Sequence, residues 1–96
     1  MRTVLLLLAF DPTGVWVSQT DAYVLTFEKT ARGWRTECRT DVQLWKGVAT
    51  EQSPGVYVDY TRYNERNYLD RYTYIVTRDG DLFLNGSGLT FKRRQK

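Results

Sequence analysis

Gly, Pro, Asn and Asp interrupt this sequence roughly every eight to twelve residues, too often for a succession of helices and at the spacing of a sandwich or barrel of short strands. Between the interruptions apolar and polar residues alternate with period two, and no long stretch keeps a period of 3.6. The segments read as strands are 2–10, 14–19, 22–29, 33–40, 42–48, 55–62, 71–78, 81–85 and 89–94. The turns between them are DPTG, TD, TARG, TD, TEQSP, NERNYLD, DG and NGSG. Of these, Asp79-Gly80 suits a two-residue hairpin, because Gly tolerates the positive φ required there. Only NERNYLD is long enough to hold a helical turn. Connections this short join antiparallel neighbours, so the chain meanders. An open sheet of so many strands would leave two unpaired edges, and closure removes them. The predicted fold is all-β, a small antiparallel meander closing into a barrel of about eight strands, with 1–96 as one domain. An aromatic content of 15% agrees with strands.

Alternation also assigns faces. Tyr23, Leu25 and Phe27 share one side of their strand, and Trp34, Thr36 and Cys38 oppose the charged Arg35, Glu37 and Arg39. The uncharged face looks inward, which makes Cys38 a small buried or half-buried side chain. Further along, Tyr57, Asp59, Thr61 and Tyr63 oppose Val56, Val58, Tyr60 and Arg62, while Tyr72, Tyr74 and Val76 oppose Arg71, Thr73, Ile75 and Thr77. The interior set is thus Tyr23, Leu25, Phe27, Trp34, Thr36, Cys38, Tyr72 and Tyr74, with Leu44 added from the 42–48 strand. Each of these also suits a plain packed core.

Several chemistries are removed at once. The chain has no histidine and one cysteine, which excludes an internal disulfide and removes Ser-His and Cys-His catalysis and histidine-ligated zinc. Asp79 and Asp81 flank a hairpin glycine and point into water. Asp59, set among tyrosines, is the one carboxyl whose pKa would rise on burial and so mark a site. The protein is expected not to be an enzyme, and to use no cofactor or metal. DGDLFLN lacks the remaining oxygen ligands of a calcium loop.

The formal charge is +3, but KRRQK at 92–96 holds four of the fourteen basic residues, leaving ten against eleven acidic residues in 1–91. This end reads as a flexible basic tail, not as a phosphate-tracking surface. The apolar run at 4–10 is at the lower limit of a signal-peptide core and is followed by no small-residue cleavage site, so it reads as a strand. It is too short for a membrane-spanning helix. The compartment stays open, with the cytoplasm favoured over a secreted or periplasmic location.

Gly14 and Trp16 form a Gly-x-Trp on an early strand, in TGVWVSQ, and the chain closes with GDLFLNGSGLTFKRRQK. Both ends resemble small bacterial lipocalin-like β-barrel domains. The resemblance implies that Trp16 packs across one barrel end beneath an arginine of the last strand, Arg93 or Arg94. It further implies non-covalent binding of a small apolar molecule in the barrel, or an inhibitor role against another protein.

The segment YTRYNERNYLDRYTY, residues 60–74, admits three readings. The first is a hairpin with cross-strand aromatic ladders. The second is a protein-binding patch of Arg62, Tyr63, Arg66, Tyr68 and Arg71, residue types enriched at interface centres. The third is a single-stranded nucleic-acid surface, disfavoured because Asp59, Glu65 and Asp70 nearly cancel the arginines. The leading expectation is a non-catalytic binding protein for a small apolar ligand, and the alternative is an inhibitor or immunity-type adaptor using the 60–74 hairpin.

Overall fold

The computed structural model describes residues 10–64 and 69–94. Its eight strands are β1 (Gly14–Ser18), β2 (Val24–Lys29), β3 (Trp34–Arg39), β4 (Leu44–Ser53), β5 (Val56–Tyr63), β6 (Asp70–Val76), β7 (Leu82–Leu84) and β8 (Leu89–Arg93). Each pairs antiparallel with the next, and β8 pairs back with β1, so the sheet is a closed barrel. Closure leaves no strand with an unsatisfied ladder, which is what a meander of short strands needs. The fold is all-β, as the turn spacing predicts, and the barrel is compatible with a lipocalin-like one.

Register turns the alternation of each strand into continuous rungs. Trp16 stands opposite Leu25, Leu25 opposite Cys38, Cys38 opposite Trp45 and Trp45 opposite Tyr63. A second rung joins Glu51, Tyr57, Tyr74, Leu84 and Leu89. Side chains on such rungs point inward and their sequence neighbours point out.

Three boundaries differ from the sequence expectation. β4 continues to Ser53, through most of the TEQSP segment read as a turn, and the turn itself is Pro54-Gly55. A bulge between Glu51 and Ser53 absorbs the extra residue that the two strands do not share. Asp79-Gly80 is not a two-residue hairpin. Thr77 N donates to Asp81 O and Gly80 N to Thr77 O, so three residues form the loop and Gly80 alone takes the positive φ. The tail expected at 92–96 begins too early, because Lys92 and Arg93 pair with Val17 and Trp16 in the closing ladder. Of the strand expected at 2–10 only Phe10 is described, and it is outside any strand.

The meander places the 19–23, 40–43 and 85–88 connections, with Asn64, at one end and the 30–33, 54–55 and 77–81 connections at the other. The second end is densely filled. Trp34 meets Tyr57 edge-on at 5.3 Å, Phe27 meets Tyr74 at 5.8 Å and Tyr74 meets Phe91 at 6.2 Å. Edge-to-face contacts of this kind add to the gain from burying the rings. Leu25, Ala49 and Leu82 complete this core.

Candidate functional site

The two barrel ends are built differently. At the filled end residues 10–13 cross the barrel mouth. Trp16 is fully buried and its indole Nε1 donates to the carbonyl of Pro12 at 2.8 Å. The Arg93 guanidinium lies 4.3 Å above the Trp16 ring while Nη1 donates to Thr13 O at 2.7 Å and Nη2 to Asp11 O at 2.8 Å. Gly14 has a φ of 135°, and a Cβ there would stand 3.1 Å from Arg93 Nη1. One arginine therefore pins the crossing segment and covers the indole at once. Asp11 accepts from the hydroxyl and the backbone N–H of Thr13, and these bonds hold its carboxyl below the usual carboxylate range.

At the other end a cavity of about 220 Å³ enters the barrel. Tyr23, Trp45, Tyr72, Tyr74 and Phe91 give it an aromatic wall, and Leu84 and Leu89 close one side. Its polar groups are Cys38, Thr61, Ser87 and Asp59. The carboxyl is the unusual member, because Asp59 is only 3% exposed. Among the described residues its one hydrogen bond comes from the buried Thr36, whose Oγ1 donates to Oδ1 at 2.7 Å. Gly47 makes room for it: a Cβ at that position would stand 2.6 Å from Asp59 Oδ1 and 2.5 Å from the Tyr60 carbonyl oxygen. A glycine in mid-strand weakens the strand, and here it admits a charged group into the wall.

Burial pushes the Asp59 carboxyl up to about 6, against the opposing effect of the Thr36 hydrogen bond. Burial also pushes the Cys38 thiol up to about 12, with the Asp59 charge adding to it. Tyr74 is raised well above the ordinary phenol value by the same two causes in the same order. Cys38 is therefore a neutral wall residue at physiological pH, without the thiolate that nucleophilic chemistry needs.

Of the interior set read from the sequence, the cavity wall contains Tyr23, Cys38, Tyr72 and Tyr74. Leu25, Phe27 and Trp34 sit in the packed half, and Thr36 supports Asp59. Leu44 is replaced by Trp45: the two are adjacent apolar residues, and the register puts Trp45 on the inward rung and Leu44 opposite Arg39. Leu84, Leu89 and Phe91 are not in the expected set. Their strands are three and five residues long, too short for alternation to establish a face.

The Tyr/Arg group does not form a single surface in the described residues. Tyr63 is half-buried, its ring 5.1 Å from Trp45 and its hydroxyl accepting from Gln43 Nε2 at 3.0 Å. Arg62 and Arg71 are exposed on the outer face, opposite Lys46 and Tyr60 respectively. Arg66 and Tyr68 lie outside the described residues.

Comparison of the chain with models of known families, with curated proteins and with solved structures finds no match. Among the described residues no helix is long and apolar enough to cross a membrane, and no three His, Cys, Asp or Glu side chains gather to hold a metal ion.

Proposed function

We propose that this protein binds one small, largely apolar molecule, without covalent chemistry, inside a lipocalin-like barrel. The observation that carries the reading is the cavity of about 220 Å³ at the end opposite the Trp16–Arg93 plug. A concave, mainly aromatic wall with a few fixed polar groups is the usual make-up of a small-molecule site. The volume is below the roughly 300–1,000 Å³ of drug-sized sites, so the ligand has the dimensions of one substituted ring.

The test uses 2-phenylethanol as a neutral probe, followed through the amide and indole NMR signals of the labelled protein. Saturable shifts are expected at Cys38, Trp45, Tyr72 and Leu89 and not at Trp34. Leu89→Trp fills the cavity and abolishes them while the melting temperature changes by no more than a few degrees. Shifts that survive Leu89→Trp, or saturable shifts at Trp34 in place of the cavity residues, refute the cavity as a binding site.

A second reading, an interface with another protein, is favoured by the outer face of β4–β6. There Val48 is 59% and Tyr60 46% exposed, and the two are direct cross-strand partners beside Arg71. Tyr and Arg are common hot-spot residues. On this reading Tyr60→Asp eliminates capture of a defined partner from the native host and leaves 2-phenylethanol binding intact; unchanged capture rejects the interface.

A further inference from the structure

We propose that the ligand of this cavity carries a protonated amine, with Asp59 receiving the ammonium group and the aromatic wall receiving the apolar body. The inference rests on the ligand-binding reading above and narrows it to one chemical class.

The argument begins with what the barrel does to Asp59. A carboxylate taken out of water needs a partner of opposite charge, or several hydrogen bonds, to offset lost hydration. Here one hydroxyl supplies one hydrogen bond to Oδ1. No lysine or arginine lines the cavity among the described residues. The residues facing Asp59 from the packed strands are Thr36 and Cys38 on β3, Gly47 and Ala49 on β4, and Tyr72 and Tyr74 on β6. None is a cation. The group is nevertheless ionised for the most part at neutral pH, since burial pushes it only to about 6. Among the described residues the folded barrel therefore presents one uncompensated negative charge to a mostly apolar cavity.

Ligand classes differ sharply in their response to that charge. A carboxylic acid would be repelled and would leave two anions in one apolar space. A neutral molecule would bury the carboxylate further without neutralising it. An amine supplies the missing charge and up to three N–H donors, and charge-assisted hydrogen bonds are the stronger kind. The walls add to this, because the faces of Tyr, Phe and Trp attract cations. Tyr23, Tyr72 and Trp45 surround the same space that Asp59 enters.

The test compares three probes with nearly the same body, 2-phenylethylamine, 2-phenylethanol and 3-phenylpropionate, by calorimetry and by the Trp45 indole NMR signal. At about pH 8 the amine is expected to bind at least about tenfold more tightly than the alcohol, and the acid more weakly than either. Asp59→Asn abolishes the preference, so that amine and alcohol bind this variant with the same affinity. Lowering the pH through about 6 produces the same convergence in the unsubstituted protein, because Asp59 then takes up a proton and the other facing groups stay neutral. Equal binding of amine and alcohol at about pH 8, or an amine preference that survives Asp59→Asn, overturns the inference while the ligand-binding reading stands. Failure of all three probes to bind overturns both.

Discussion

Trp16→Ala lowers stability by about 3–5 kcal/mol, which for a domain of this size is a fall in melting temperature on the order of 20 °C. The indole is fully buried, so its removal forfeits the transfer energy of the largest fully buried side chain among the described residues and leaves a void at the barrel's end. Three further interactions disappear with it: the Nε1 bond to Pro12, the guanidinium–indole contact with Arg93 and the ring contact with Phe10 at 6.0 Å. Arg93 would keep its bonds to Thr13 O and Asp11 O, so the crossing segment stays tied. Arg93→Lys, by contrast, keeps a charge but cannot reproduce a planar fork reaching two carbonyls, and is expected to cost about 1–2 kcal/mol, the smaller loss. Guanidinium denaturation of both single variants and the double variant gives the coupling, expected at about 0.5–1 kcal/mol for an arginine that stays partly in water. A loss below about 1 kcal/mol for Trp16→Ala would show that this end is held by something other than the indole.

The fold was legible in the sequence because faces and turns are local properties. The inward side of 22–29 and 33–40 follows from alternation alone, and both strands present that side to the barrel interior. Depth is not local. Leu25, Phe27, Tyr23, Trp34 and Cys38 all face inward, yet Tyr23 and Cys38 reach the cavity while Phe27 and Trp34 reach the packed half. Period two separates in from out and says nothing about position along the barrel axis, which depends on how each strand is offset from its neighbours. That offset is set by loop geometry such as the three-residue connection at 78–80 and by the bulge at Glu51/Ser53. Asp59 stood out in the sequence as a carboxyl among tyrosines. Its burial depends on Gly47, twelve residues earlier on the adjacent strand, whose missing side chain carries no period to read. The charge balance of 60–74 was visible as composition, but the strand period sends Arg62 outward and Tyr63 toward Trp45, dividing residues that are contiguous in the chain.

Asp59→Asn removes a pH dependence of roughly 3 kcal/mol from the stability of the ligand-free protein. The folded pKa of about 6 lies above the ordinary aspartate value of 3.8, so the folded state holds this proton more tightly than the unfolded chain does. Below the unfolded value both states are protonated and Asp59 imposes no penalty. Between the two values the unfolded chain releases the proton and the folded protein retains it, so stability falls as pH rises. Above about 6 both are ionised and the full cost of a buried charge is present, a little over two pKa units or about 3 kcal/mol. Asparagine keeps the acceptor that Thr36 uses and carries no charge, at the cost of about 1 kcal/mol for amide hydrogens that lack partners in the wall. The variant is therefore expected to be slightly less stable than the parent at about pH 3.5 and more stable by about 2 kcal/mol at about pH 8. Urea denaturation of both proteins across this window measures the difference directly and cancels the titration of Asp11 and the exposed carboxyls, which are common to both. A difference that does not change with pH would mean that Asp59 is solvated in the folded protein, and the cavity would then hold no uncompensated charge for a cationic ligand to meet. A crossing of the two stability curves at about pH 4.5, where the growing cost of the carboxylate reaches the roughly 1 kcal/mol cost of the amide, followed by restoration of the parent's stability at about pH 8 on saturation with 2-phenylethylamine, would join the cost of the buried carboxylate to its use: the energy that folding loses at Asp59 is recovered when an ammonium group enters the barrel.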